Sequence, residues 1–238
     1  MMSKIKALVF DVGGTVFDWR TGITNALQEW GGQQGIEADW PKLGEHWRDA
    51  ALTKMISENK QLPAGTNLDD VHRITLDDSF KQFGITDIAP ADRDVLVDGW
   101  HKLPAWPDAI EAWPALHKHY ILSPLTILSI SLVVNCSRYN GLLWDAILSC
   151  EFIGSYKPQQ AVYDAAPRYL RLKPEEIMMV AAHNFDLMAG RRSGLKTAYV
   201  RRPDEWGTDG DLFDKTNEPN PVHDIIVDSF TDLAAQIT

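Results

Sequence analysis

Cysteine is scarce. Cys136 and Cys150 are the only two in 238 residues, so a disulfide framework or a cysteine-rich zinc site is not on offer, and a reducing cytoplasm is the expected location. Basic charge is also short: 23 Lys and Arg stand against 33 Asp and Glu, a net charge of −10. That argues against a nucleic-acid partner, which needs a basic surface. A small anion needs only a local positive pocket. Long hydrophobic runs are missing too. The longest, residues 121–134, is about two-thirds of a membrane span and is broken by Pro124, so no membrane partner is expected. The basic start, Met1 to Lys6, reaches Asp11 after too few apolar residues for a secretory signal. No internal repeat or low-complexity tract is present.

What remains is the balance of a folded chain, with 45% hydrophobic and 24% charged residues. The length suits one large domain, or a core with a modest insertion. Residues 6–10 form a short β-rich apolar run that ends in the turn Asp11-Val12-Gly13-Gly14-Thr15, the pattern of a buried parallel strand. Between residues 21 and 100 the texture is helical. Trp47, Ala51, Leu52, Met55 and Ile56, then Val71, Ile74, Leu76 and Phe80, fall at amphipathic spacing, with loops near 63–65 and 88–90. After Pro107 strand-like runs return at 120–125, 146–148, 177–181 and 197–200. They alternate with helices near 108–118, 131–140, 159–170 and 185–193. Residues 204–221 read as a surface excursion before a last strand and helix, 225–237. This alternation predicts an α/β fold with a parallel, Rossmann-like sheet flanked by helices. The predicted core is residues 1–17 and 102–238, and the inserted helical cap subdomain is residues 18–101. An insertion after the first strand sits at the sheet's carboxyl edge, where such folds bind ligands, and is placed to act as a lid.

Asp11 is the first candidate for chemistry. A carboxylate at a strand end can attack carbon or phosphorus to give an ester, and Gly13 and Gly14 free backbone N–H groups to cradle an anion. The alternative is an Asp that only caps its turn.

The run Phe10-Asp11-Val12-Gly13-Gly14-Thr15-Val16-Phe17-Asp18 resembles the first signature of the haloacid dehalogenase superfamily. Tyr156-Lys157-Pro158, followed by Tyr163, resembles the third. Val180-Ala181-Ala182-His183-Asn184-Phe185-Asp186-Leu187 resembles the fourth as the dehalogenase branch writes it. Leu142-Leu143-Trp144-Asp145 and Arg202-Pro203-Asp204-Glu205-Trp206-Gly207 are similar to that branch as well. The resemblance covers nearly the whole chain and is strongest after Trp106. Phosphatases of the superfamily carry a second Asp two residues after the nucleophile, as the acid, and hold Mg²⁺ partly through a further Asp. Here those positions are Gly13 and the Ala181-Ala182 pair. Mg²⁺ wants carboxylate oxygens, whereas a departing halide needs no proton.

The resemblance therefore implies a hydrolase without metal or cofactor, of the (S)-2-haloacid or fluoroacetate-type branch. It would cleave the carbon–halogen bond of short 2-haloacids through an aspartyl ester on Asp11, with water completing the reaction to 2-hydroxyacids. The alternatives are a superfamily phosphatase of low activity and a catalytically impaired binding protein of the same fold.

Site roles follow from the same resemblance. Lys157 keeps Asp11 ionised, and Asp186 pairs with Lys157. Thr126 is the hydroxyl of the second signature, with Ser129 or Ser131 taking that place in an alternative register. Ile127 and Leu128 stand where Asn-Gly is usual, which removes an amide that helps hold the halide. His183 or Asn184 positions the hydrolytic water, and for His183 a plain structural role is the alternative. Val12, Gly13 and Thr15 receive the substrate carboxylate or orient Asp11. Arg48 or Arg20 grips the halide from the cap, while Trp19 and Tyr163 border the pocket. Relatives are often dimers, so a homodimer is expected.

Overall fold

The structure is a computed structural model, described for residues 5–57, 62–63, 65–207 and 218–238. The chain opens with β1 (Ala7–Phe10) and continues through four helices, α1 (Trp19–Gln34), α2 (Trp40–Ser57), α3 (Leu68–Lys81) and α4 (Pro90–Asp98). A 3-10 turn at Gly99–Lys102 leads to α5 (Pro107–His119), β2 (Ile121–Thr126), α6 (Ile130–Asn140), β3 (Leu148–Ser149), α7 (Cys150–Ile153) and α8 (Gln160–Leu170). Then come β4 (Ile177–Ala181), α9 (Asn184–Arg192), β5 (Lys196–Val200), β6 (Ile225–Val227) and α10 (Phe230–Ile237).

All strand pairs are parallel, in the order β3-β2-β1-β4-β5-β6. Every residue of β1 and of β4 is buried, as strands covered on both faces must be. Phe10 packs against Trp113 of α5 and Phe230 of α10 at ring separations of 5.2 and 5.9 Å. The chain walks outward from β1 to β3 and then returns to β4 on the other side of β1. The crevice beyond the carboxyl ends of β1 and β4 is therefore a topological switch point, the usual ligand site of an open α/β sheet. Asp11 stands there.

The four helices between β1 and α5 pack on one another around aromatic side chains. Trp47 meets Trp100 at 5.4 Å and Phe80 at 5.7 Å, and Trp30 meets Phe80 at 5.8 Å, all near edge-to-face. Much of the tryptophan in this region is thus packing. Helix starts are well specified. Asp18 accepts from Thr21 N, Asn67 and Asp70 form a capping box, and Pro90 and Pro107 open their helices. Where the helical block joins the sheet, the two connecting segments run side by side. Phe17 and Ala105 form an antiparallel bridge, and Trp106 N donates to Val16 O. Across the crevice the block also meets the loops beyond the sheet. Ser129 Oγ donates to Asp69 (2.6 Å), Asn67 Nδ2 to Glu151 (3.0 Å) and Tyr156 OH to Thr66 O (2.8 Å).

Two details differ from the sequence expectation. Ile74, placed on the apolar stripe of α3, is 48% exposed, because the buried face runs through Val71, His72, Thr75, Leu76, Ser79 and Phe80. The strand expected at 146–148 is the two-residue β3, which turns at once into α7 with Ser149 accepting from Glu151 N. Of the expected surface excursion, residues 208–217 lie outside the described residues, as do Met1 to Lys4 and Ala64. Both cysteines are buried and free. No described helix is long and apolar enough to cross a membrane.

Candidate active site

Asp11 N donates to Val180 O (3.0 Å), which extends the β1–β4 ladder by one residue and turns the side chain into the crevice. Its two oxygens are held differently. Oδ1 accepts from Lys157 Nζ at 3.0 Å. Oδ2 accepts from Thr15 Oγ at 2.9 Å and lies 3.0 Å from His183 Nδ1. Thr15 Oγ, which donates its one hydrogen to Asp11, itself accepts from Ala182 N (2.9 Å). Lys157 Nζ also donates to Asp186, which accepts from Tyr163 OH as well.

These contacts set the protonation states. Burial by itself would raise the Asp11 pKa, but the Lys157 ammonium and the His183 ring outweigh it and hold the carboxyl well below the usual range. Burial pulls Lys157 down, yet Asp11 and Asp186 more than restore it, so the ammonium is held above its ordinary value. Burial pushes Asp186 up, with Lys157 opposing. The outcome is an ionised Asp11 beside a permanent cation.

Glu205, buried after β5, closes the other side. Its Oε2 lies 2.9 Å from His183 Nε2, and its Oε1 accepts from Trp19 Nε1 at 3.1 Å. It reaches there because residue 14 is glycine. Gly14 has φ +90°, and a Cβ on it would sit 1.9 Å from Glu205 Oε1. Burial lowers the His183 pKa, but Glu205 and Asp11 reverse this and hold it well above the ordinary value. Arg48 enters from α2, 4% exposed, with its guanidinium 5.3 Å from the Trp19 ring and 5.8 Å from that of Trp100. Its buried Nε has no hydrogen-bond partner among the described residues. A cavity of about 40 Å³, partly open to solvent, lies among these groups. Asp11, Gly13, Arg48, Thr126, Lys157, His183 and Glu205 form its polar side, and Leu52, Ile56, Ile127, Leu128, Phe185 and Trp206 its apolar side.

The family profile of haloacid dehalogenase-like hydrolases matches residues 5–194. The chain belongs to that family. Among solved structures it is similar to an L-2-haloacid dehalogenase, with 35% identity, 98% of both chains covered and a TM-score of 0.90. It is also similar to a defluorinating L-2-haloacid dehalogenase, with 33% identity, 98% of this chain and 95% of the other covered, and a TM-score of 0.89. (S)-2-haloacid dehalogenase 1 of Pseudomonas sp. (strain CBS-3) is 26% identical over 207 residues, 84% of this chain and 86% of the relative.

In this haloacid dehalogenase-like hydrolase the expected site residues separate into two groups. Asp11, Gly13, Arg48, Thr126, Lys157 and His183 share the cavity. Several others stand behind it. Asn184 faces away, accepting from Asn220 N and donating to Glu218 O, so it ties down the segment before β6 instead of positioning water. Trp19 does not line the cavity; it holds Glu205 and underlies Arg48. Tyr163 is fully buried and spends its hydroxyl on Asp186. Val12 lies in the core, and its carbonyl accepts from Val16 N and Phe17 N. The hydroxyl of Thr15 serves Asp11, which leaves it none for a substrate carboxylate. Arg20 is bound to Glu45 at 2.6 Å, so Arg48 is the cap arginine in the site. Ser129 caps α6 and donates to Asp69, which leaves Thr126 as the second-signature hydroxyl in the cavity.

Glu205 was not among the expected site residues. Its signal was the run around Arg202-Pro203-Asp204-Glu205, whose Arg202 Nε donates to Thr15 O and draws that loop onto the site. Mg²⁺, which phosphatases of the family use, does not fit this donor set. Lys157 Nζ already bridges Asp11 and Asp186, and Gly13, Ala181 and Ala182 offer no side-chain oxygen.

Proposed function

We propose that this chain is a hydrolytic dehalogenase of short 2-haloacids. The observation that carries the proposal is an ionised Asp11 facing a cavity that lacks a second acid at position 13 and holds an arginine to which, among the described residues, no carboxylate is bound. Asp11 attacks C2 of the haloacid, the carbon–halogen bond breaks, and its electron pair leaves with the halide toward Arg48. The product is an ester between Asp11 and the acid's C2. Lys157 keeps the nucleophile charged, and Asp186, fixed by Tyr163, keeps Lys157 in place. Arg48 and Lys157 supply counter-charge for the substrate carboxylate and the departing halide. Water then attacks the ester carbonyl, which releases the 2-hydroxyacid and returns Asp11.

In this scheme residues 18–101 act as a cap over a core of residues 1–17 and 102–238, since Arg48, Leu52 and Ile56 reach the cavity from α2. The reaction needs no metal or cofactor. A cytoplasmic location and a homodimeric assembly complete the proposal.

The test is halide release from chloroacetate, 2-chloropropionate and fluoroacetate in EDTA. Release by the wild type, lost in Asp11→Asn, is the expected result. Silence toward all three, with Mg²⁺-dependent cleavage of a phosphoester, would replace the dehalogenase with a phosphatase.

A further inference from the structure

The two oxygens of Asp11 are not equivalent, and the difference decides more than which one attacks. Among the described residues, Oδ1 has one donor, Lys157 Nζ, while Oδ2 has Thr15 Oγ at 2.9 Å and His183 Nδ1 at 3.0 Å. Oδ1 is therefore the freer oxygen and the one that takes up C2. Oδ2 then becomes the carbonyl oxygen of the ester. We propose that Thr15 and a doubly protonated His183 form the oxyanion hole in which Oδ2 carries the negative charge of ester hydrolysis, and that Glu205 is the positioning residue that keeps His183 in that form. This rests on the dehalogenase chemistry proposed for the same site.

The geometry supplies three supports. Both distances fall in the range of about 2.7–3.1 Å at which a donor stabilises an oxyanion. The hydroxyl of Thr15 donates its one hydrogen to Oδ2 and is itself held in place by accepting from Ala182 N. The His183 ring lies between two carboxylates, with Nδ1 on Asp11 and Nε2 on Glu205 at 2.9 Å. Carboxylates only accept, so a ring bonded to both needs a proton on each nitrogen. The charged and titratable groups lining the cavity around the ring are Asp11 beyond β1, Glu205 beyond β5, Lys157 ahead of α8 and Arg48 on α2. The two acids touch the ring.

The hydrolytic step balances without a side-chain base. Water oxygen bonds to Cγ of Asp11, and the C–O bond to the product oxygen breaks. One water proton passes to that oxygen to give the hydroxyacid. The other leaves for solvent as Asp11 returns to its carboxylate. His183 keeps both protons and acts as a donor throughout.

The experiment compares His183→Asn, which retains an N–H donor that does not titrate, with His183→Leu, which retains none. The halide burst and the mass of the alkylated Asp11 peptide report the first half-reaction, and thus that each variant is folded and competent. Steady-state turnover reports the second. Both variants should give a stoichiometric burst. His183→Leu should then accumulate ester, with turnover down about 10²–10³-fold, the usual effect of removing one oxyanion donor. His183→Asn should recover at least tenfold of that loss. In the wild type, turnover should fall as pH rises past the His183 titration, and Glu205→Gln should move that limb to lower pH. Equal turnover in the Asn and Leu variants, or a wild-type limb that rises with pH and depends on His183, would make the ring a base and overturn the proposal. An absent burst in the wild type would instead remove the ester chemistry beneath it.

Discussion

Replacing Lys157 by Met should destabilise the protein more than other single changes at this site, and the loss should fade in acid. Lys157 is 3% exposed, and its ammonium is the shared partner of Asp11 and Asp186. Methionine fills most of the stem's volume, so the removed charge decides the outcome. Deleting one partner of a buried ion pair costs about 3–5 kcal/mol because the other charge is left uncompensated. Asp186 is left without its ammonium here, while Asp11 keeps the His183 ring and the Thr15 hydroxyl as partners, so the whole of that range is the expectation. For a chain of this size each kcal/mol moves Tm by about 2–4 °C, so the drop at pH 8 should be roughly 6–20 °C.

The sign of the pH dependence is specific. In the wild type the folded pKa of Asp11 is depressed, so its contribution is present above the unfolded value near ~4 and is lost only as pH falls through the folded value. Burial already raises the Asp186 pKa in the wild type, with Lys157 opposing, and the variant removes that opposition. The added penalty is full at high pH and shrinks as pH falls toward ~4. Calorimetric melts of both proteins between pH 8 and pH 5 read the difference directly. A gap in Tm that is the same at both ends, or absent at pH 8, would refute the picture of one ammonium balancing two buried acids.

Gly13→Asp places a carboxylate against the Arg48 guanidinium, whose Nη2 lies 2.7 Å from where the new Cβ would be. The new pair should neutralise the anion grip, raise KM for 2-chloropropionate at least about tenfold, a loss in line with that of a charged hydrogen bond, and leave phosphoester cleavage absent; unchanged KM would count against Arg48 as the grip. Tyr163→Phe removes a hydroxyl bonded to the buried Asp186 and should cost about 1–3 kcal/mol in denaturant unfolding with KM nearly unchanged. A variant with full stability but a large change in KM would place Tyr163 against the substrate.

The framework of the site was readable because its parts are short and local. A β-rich run that stops at Asp-x-Gly-Gly-Thr says where a strand ends and a loop begins, and β/α alternation after Pro107 says how that strand is flanked. Lys157 and Asp186 were legible through the resemblance of their runs to the family's third and fourth signatures. What was not readable depends on the direction a side chain takes after the backbone is placed. His183 and Asn184 are adjacent, and one faces Asp11 while the other faces residues 218–223, because residue 184 begins α9 and turns away. Arg20 and Arg48 lie on consecutive helices with the same chemistry, and only the position of Glu45 separates them. Glu205 is distant in sequence from Asp11, and its place follows from Gly14 and Trp19, residues that carry no charge. Ile74 shows the converse limit, since an apolar side chain at helical spacing can still lie at the edge of the stripe.

The same site explains why a chain with Gly13 and Ile127 can keep its chemistry. Three buried acids, Asp11, Asp186 and Glu205, face three cations, Lys157, Arg48 and the His183 ring. A haloacid brings one more anion. In the proposed displacement no charge is created; it would move from Asp11 Oδ1, beside Lys157, to the halide, beside Arg48. A group that gains most when charge arrives accelerates the step, whereas one that binds substrate and transition state alike does not. At an effective dielectric of ~20 a full charge at about 4 Å is worth up to about 4 kcal/mol, and a hydrogen bond involving a charged group about 1.5–3 kcal/mol. The arginine can therefore carry a halide that a side-chain amide at position 127 would otherwise share. It can do so only while it stays free of a carboxylate partner. An acid at position 13 would end that freedom, so in the proposed mechanism the glycine that lacks a phosphatase's proton donor would also protect the anion grip of Arg48.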